Sequence, residues 1–244
     1  MNMMKSSSVL YVSDIPVYVS KNKGQKNLYI KVCPPDGQVK VSSPASTSDK
    51  KIISFVQLKM STIKRHRQRL VSQFRQSKRE YVSGEAFYFW GKPLMLQVVL
   101  CDKAKSKAQK MADKLVLTVP RGSSTEFREK KVNELYRSEL KRVIQNLSSS
   151  VERKVGVKPH EYRIKNMKTR WGTCNVNAKR IWINLQLAKK PPECLEYVLI
   201  HELCHLLEKN HTKRFWALVE QFCPNWKEAK RTLDSMPLDY YEAQ

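Results

Sequence analysis

Residues 197–211 read Tyr-Val-Leu-Ile-His-Glu-Leu-Cys-His-Leu-Leu-Glu-Lys-Asn-His, and they restrict the fold more than any other part of the chain. The sequence holds five histidines, and His201, His205 and His211 all fall inside this stretch. On a helix His201 and His205 share one face, about 6 Å apart along the axis. Imidazoles so placed can share one tetrahedral zinc at bonds of about 2.0–2.1 Å. Glu202 follows the first histidine and is placed to take a proton from a metal-activated water rather than to bind metal, which is the H-E-x-x-H arrangement. His211 lies far enough on for the helix to end and the chain to turn back with a third ligand, leaving a fourth position for water. The apolar lead-in Tyr197-Val198-Leu199-Ile200 requires the helix to bury one side, and ionisable groups on a buried helix need a compensating partner.

An H-E-x-x-H string also occurs by chance on buried helices with incidental histidines. His211 and the apolar lead-in favour the metal. The spacing of the three histidines matches that of the metzincins, but Glu208 stands where those proteins carry a turn glycine. Asn210 is the residue expected to take a left-handed turn in its place.

Lys and Arg outnumber Asp and Glu by 46 to 22, for a net charge of +24. That excess favours polyanions: nucleic acid, anionic lipid or a phosphorylated small molecule. With 41% hydrophobic residues over 244 positions, the chain suits one large domain or two small ones packed together, and not disorder. Residues 1–11 hold no apolar run long enough for a signal peptide, and no window approaches a membrane span. The six cysteines include no C-x-x-C pair. Reduced thiols and a cytoplasmic protein are the expectation.

The N-terminal part reads as short strands at 15–20, 28–33 and 38–42, punctuated by Asn22-Lys23-Gly24 and Pro34-Pro35-Asp36-Gly37. One helix is expected from about 50 to 76, with Ile52, Phe55, Val56, Ile63, Leu70 and Phe74 as its apolar stripe. Its second half carries Lys64, Arg65, Arg67, Arg69, Arg75, Lys78 and Arg79 without interleaved acids. That is either a solvated face or a phosphate-contacting one. The run has no aromatic residue spaced for base stacking, which weighs against single-strand binding by this helix. Strands follow at 86–90, 94–100 and 114–119, with lysine-rich 102–110 expected as an exposed hairpin loop. A long helix capped by Ser124 or Thr125 should run to about 154 and end at Gly156. Strands at 161–165 and 180–185 flank 167–175, and Pro191-Pro192 opens the histidine helix. Thr212 caps a further helix, and Pro224-Asn225 precedes a last short one. No internal repeat is evident in the sequence.

Trp171-Gly172-Thr173-Cys174, the Asn184-Leu185 pair, His201-Glu202-Leu203-Cys204-His205 and Asn210-His211 followed by Phe215-Trp216 occur in the order seen in the YgjP-like family of predicted metal-dependent hydrolases, which the chain resembles. Those proteins are similar to SprT-type and other zincin metallopeptidases. The match extends upstream through Tyr81-Val82-Ser83-Gly84-Glu85 and Trp90-Gly91-Lys92, and Thr173 replaces the usual serine while keeping the hydroxyl. The resemblance implies an α+β fold: a zincin-like C-terminal metallohydrolase core (121–244), with an N-terminal β-rich subdomain and long basic helix (1–120), packed as one unit. It implies His201, His205 and His211 as zinc ligands and Glu202 as general base. It also implies that strand 181–185 flanks substrate beside the metal helix. Arg170 is a candidate for holding an anionic or oxyanion group, or else it braces the turn. Trp171, Trp216, Cys174 and Cys204 are read as packing residues.

A zinc-dependent metallopeptidase acting on peptide or protein is the leading expectation. The alternatives are a nucleotide phosphohydrolase of the nucleoside triphosphate pyrophosphatase type, and a nucleic-acid-associated binding protein with a structural metal site. A structural site has no need of a base such as Glu202. The nucleotide reading is weakened because the chain has no G-x-x-x-x-G-K-[ST] loop, although lysines and arginines can hold phosphates directly.

Overall fold

The structure, a computed structural model, describes residues 6–33, 36–72, 79–103 and 105–235. The chain divides into two compact units, Met1–Arg75 with Tyr240–Gln244, and Gln76–Asp239. Each has its own apolar core. The expected division at residue 120 differs from this one: strands 86–119 share a core with the long helix that follows them.

In the first unit, β1 (Ser6–Val12), β2 (Ile15–Asn22), β3 (Tyr29–Cys33) and β4 (Gln38–Pro44) form a sheet of order β1-β2-β4-β3. Pairs β1/β2 and β3/β4 are antiparallel, and β2/β4 is parallel. Strict alternation buries Ile15, Val17 and Val19 of β2 and Val39 and Val41 of β4 on one face. Ile52, Val56 and Ile63 close over that face. The single helix expected from 50 to 76 is two helices, α1 (Asp49–Leu58) and α2 (Met60–Ser72). Lys59 (φ −101°, ψ 7°) breaks them apart and leaves Leu58 exposed while Ile63 reaches the core. The expected stripe residue Phe74 and the cations Arg75 and Lys78 lie outside the described residues.

The second unit opens with β5 (Ala86–Phe89), β6 (Lys92–Leu100), β7 (Lys107–Met111) and β8 (Lys114–Val119), in sheet order β5-β6-β8-β7. β7 corrects the expected lysine-rich loop. It is an edge strand paired antiparallel to β8, and with only Ala108 turned inward it shows no apolar alternation. Helix α3 (Thr125–Val155) begins at Ser124, whose hydroxyl accepts from Phe127 N, and ends at Gly156 with φ 77°. Such a left-handed exit suits glycine.

The two sheets repeat one topology, which corrects the expectation of no internal repeat. Each has two outer antiparallel pairs around a central parallel pair, and each is followed by a serine-capped helix. Pro44 and Ser48 of the first correspond to Pro120 and Ser124 of the second. The pair Val17–Val39 corresponds to Leu96–Leu115, and Val12–Ile15 to Phe87–Leu94. The sequences share spacing and burial rather than identity, so the repeat is legible only once the register is known. The copies differ at the first hairpin. The β1–β2 turn follows Val12–Ile15 directly, whereas β5–β6 continues through Phe89–Lys92 before turning at Trp90-Gly91.

A third sheet has the order β10-β11-β9, from β9 (Glu161–Lys165), β10 (Gly172–Asn175) and β11 (Arg180–Asn184). β11 runs parallel to β9 and antiparallel to β10. A 3-10 turn (Leu185–Lys189) leads to α4 (Pro192–Cys204), α5 (Lys213–Phe222) and α6 (Trp226–Ser235). The extended β5–β6 hairpin holds this turn, since Trp90 N donates to Ala188 O at 2.9 Å and Gly91 N to Lys189 O at 3.2 Å. Six α-helices and three small mixed sheets thus make an α+β protein among the described residues. None of these helices is long and apolar enough to cross a membrane.

Candidate metal centre

α4 is buried almost all round: Cys194, Leu195, Tyr197, Val198, Leu199, Ile200, Leu203 and Cys204 all lie in the core. A helix so enclosed holds its polar side chains rigidly. His201 is half-buried on it, and Glu202 is only 5% exposed. The helix ends at Cys204, with His205 as its right-handed cap (φ −65°, ψ −19°). The chain leaves through short turns, Leu206 N to Leu203 O and Leu207 N to Cys204 O. Neither Asn210 nor Glu208 is among the described residues with positive φ, so the expected left-handed turn at Asn210 does not occur. Successive i-to-i+3 bonds reverse the chain without one, which explains why Glu208 can stand where a glycine might be sought.

The three imidazoles meet. Their ligand atoms lie within 4.8 Å of one another, and His211 Nε2 is 3.1 Å from His201 Nε2. Nitrogens sharing a tetrahedral zinc would stand about 3.3 Å apart, given the usual bond length. The cluster therefore fits a metal in spacing and in its all-imidazole donor set. Burial, reinforced by the neighbouring His205 and His211, pushes the His201 pKa down to about 3. That favours the neutral ring that ligates metals. Burial and His211 also lower His205, with ring contacts to the backbone of Glu208 and Lys209 acting in the opposite direction. His201 Nδ1 is buried without a hydrogen-bond partner, where metal-bound histidines usually donate that proton.

Aromatic packing orients the imidazole rings. Thr212 Oγ1 accepts from Phe215 N and starts α5. Phe215 then stacks on His205 (4.6 Å, 28°) and Trp216 on His211 (5.5 Å, 22°). Trp216 continues the stack to Trp226 at 4.7 Å, and Trp226 to Tyr197 at 6.3 Å. Trp216 is thus packing, as expected, but its packing is against a candidate ligand.

Glu202 faces the β10 strand. A Cβ built on Gly172 would lie 2.6 Å from Glu202 Oε1, so any larger residue would have to displace the carboxylate. Burial raises the Glu202 pKa to about 8, and the Arg170 guanidinium opposes that rise. Arg170 itself is exposed. Cys174 is half-buried with its thiol pushed up to about 11, by burial and then by Glu202. All six cysteines are free thiols.

Asn184 was not singled out for a role by sequence, yet it organises the loop before β10. It is buried, and its Oδ1 accepts from Met167 N (3.2 Å) and Gln186 N (3.1 Å). Its Nδ2 donates to Met167 O (2.9 Å) and Arg170 O (2.7 Å). The available signal was an asparagine at the end of an apolar strand, a residue type that hydrogen-bonds nearby backbone.

The strand expected beside the histidine helix is β11. β11 packs beside α4, but it is the central strand and is paired on both sides. β10 and β9 are the two edges, and β10 is the edge packed against α4. Asn184 N donates to Trp171 O at 2.9 Å. By the antiparallel alternation, Gly172 and Cys174 then direct their backbone N–H and C=O groups away from β11.

The fold and site define a mixed α+β protein with a three-histidine cluster able to hold a metal ion. The chain matches the YgjP-like, metallopeptidase domain over residues 26–236, and it belongs to this YgjP-like family. At family level it is a metallopeptidase, a class that works with a divalent metal. No curated protein matches the chain. Among solved structures it is similar to the crystal structure of the metallopeptidase zymogen of Pyrococcus abyssi abylysin, at 24% identity. That match covers 37% of this chain and 90% of the other, with a TM-score of 0.35.

Proposed function

We propose that the protein is a zinc metallopeptidase whose catalytic region is a zincin-like core, with His201, His205 and His211 as ligands and Glu202 as general base. The observation that carries this reading is the convergence of three imidazole nitrogens within 4.8 Å beside a buried glutamate on the same helix. When bound, zinc supplies a Lewis acid that polarises the scissile carbonyl and acidifies water.

The chain's own groups supply the rest. A substrate peptide adds as a strand to the free edge of β10, pairing with the backbone of Gly172 and Cys174. This places its scissile bond over Glu202, next to Gly172. Glu202 takes the proton of the attacking water and delivers it to the leaving nitrogen. Burial makes Glu202 a stronger base than a solvated carboxylate, and the cation would lower its proton affinity again. Arg170, whose charge already bears on Glu202, favours the ionised carboxylate and meets negative charge at the site's rim.

The test compares wild type with Glu202→Gln, which keeps the shape and the ligands. Both should bind about one zinc per chain, and only wild type should cleave an unfolded casein-type substrate. Zinc binding by both with no cleavage by wild type, or equal cleavage by both, would remove the peptidase mechanism. Cleavage of nucleoside triphosphates but not casein would transfer the site to the phosphohydrolase alternative.

A further inference from the structure

We infer that the outer face of the first sheet is a platform for single-stranded nucleic acid. This goes beyond the peptidase reading and stands independently of it. The inner face of that sheet is sealed by Ile52, Val56 and Ile63. On the outer face Tyr11 is 73% exposed, Tyr29 59% and Tyr18 39%.

Rings of this size normally bury most of their surface, and three on one open sheet face are more than scattered exposure explains. The strand register places them. Across the sheet, Val9 (β1), Tyr18 (β2), Lys40 (β4) and Lys31 (β3) form one row. Ser20, Ser42 and Tyr29 lie in the next row on one side, and Tyr11 and Pro16 in the next on the other. With strands about 4.8 Å apart and alternate residues about 6.8 Å apart, the tyrosines run diagonally, about 8 Å and then about 12 Å from Cα to Cα. That suits successive unpaired bases stacking on successive rings.

Charge selects the occupant. Residues 1–75 hold fourteen Lys and Arg residues against three aspartates and no glutamate. The aspartates sit at a hairpin turn (Asp14), in the segment before β4 (Asp36) and at the start of α1 (Asp49), so the tyrosine rows contain no acid. Lys31 and Lys40 stand in the tyrosine rows themselves, while Lys64 and Arg65 are exposed on α2, which packs by β3 on the opposite face and adds to the positive field of the unit. The basic helix has no aromatics of its own, but the sheet of the same unit supplies them.

The second copy of the motif provides an internal control. At the positions equivalent to Tyr11, Tyr18 and Tyr29, the second sheet carries Ala86, Gln97 and Lys107. The tyrosines therefore are not a requirement of the motif. They belong to the copy that does not carry the metal centre.

The experiment is fluorescence anisotropy of the full chain with labelled oligouridine, oligothymidine and a mixed-sequence DNA duplex, each about 12 nucleotides long. Both single strands should bind more tightly than the duplex, by about tenfold or more. Tyr11→Ala, Tyr18→Ala and Tyr29→Ala should each weaken single-strand binding about fivefold or more, with unchanged melting by circular dichroism. Tyr18→Phe keeps the ring and should restore binding. A preference for oligouridine over oligothymidine, or the reverse, supports the platform and names its ligand. Three results overturn it: no binding of either single strand, equal binding of duplex and single strand, or alanine variants that bind like wild type. A wild-type dimer in sedimentation that the alanine variants dissociate would overturn it too, because a second copy would then cover the face.

Discussion

At the scale of single residues, Gly172 sets the space left to the Glu202 carboxylate, and Asn184 holds the loop that leads into Gly172. Gly172→Ala puts a methyl within 2.6 Å of the Glu202 carboxylate. The variant should fold and the histidines should still bind zinc, but peptidase activity should fall about tenfold or more because the base is displaced. Steady-state kinetics beside zinc stoichiometry would check this, and unchanged kcat would show that the strand can shift away. Asn184→Ala strips two part-buried acceptors and two part-buried donors of their partner, and should lower stability by about 1–3 kcal/mol in urea unfolding. Asn184→Asp should do little better. Its carboxylate keeps the contacts to Met167 N and Gln186 N, but it faces Met167 O and Arg170 O with no proton to give. Only through the turns after Cys204 does His211 join His201 and His205, whose pairing was legible in sequence from helical spacing. The roles of Gly172 and Asn184 were not, since both depend on which strand crosses above α4.

At the scale of elements, what the sequence hid was mainly edges. β1, β7 and β10 escaped because an edge strand that opens on three serines, one with a single inward side chain, or a short one without alternation carries little period-2 signal. The central strands β2, β4, β8 and β11 were all anticipated from their apolar residues. The break at Lys59 was hidden for a related reason: Ile52, Val56 and Ile63 keep helical spacing across it. The extended β5–β6 hairpin shows why element lengths matter. Its Gly91 has φ 80°, and an added Cβ would meet Pro191 Cγ at 2.8 Å. Gly91→Ala should therefore cost more than the about 1–2 kcal/mol of a left-handed alanine, and it should loosen the turn that leads into α4. The expected readouts are a lower urea midpoint and faster zinc loss to a chelator. Trp216→Leu acts on the same centre from the other side by unstacking His211, and should weaken zinc binding about tenfold with little change in fold.

At the scale of the whole molecule, two separate cores and one candidate metal centre make a prediction about cooperativity. Among the described residues the first core is built from Val12, Ile15, Val17, Val19, Val39, Val41, Ile52, Val56 and Ile63, with Leu10, Leu28, Ile30, Val32, Ile53 and Met60 packed against it. The second joins β5–β8, α3 and the α4 region, and holds Leu203 and Cys204 between the first two histidines. A ligand stabilises only what it binds, by about 2.7 kcal/mol when present at a hundred times its Kd. Calorimetry of the zinc-loaded chain should resolve two transitions, and chelation should lower only the one belonging to residues 76–239. Intrinsic fluorescence can assign it. Trp216 and Trp226 stack beside His211, and all five tryptophans of the sequence lie after residue 75, so the transition seen by tryptophan emission should be the one that moves. Glu202→Gln should leave that shift intact, because it removes the base and keeps the ligands. A single transition that shifts as a whole would mean that the two cores unfold as one. A tryptophan transition indifferent to chelator would mean instead that the histidine cluster binds no metal strongly enough to matter, and the peptidase reading would lose its foundation.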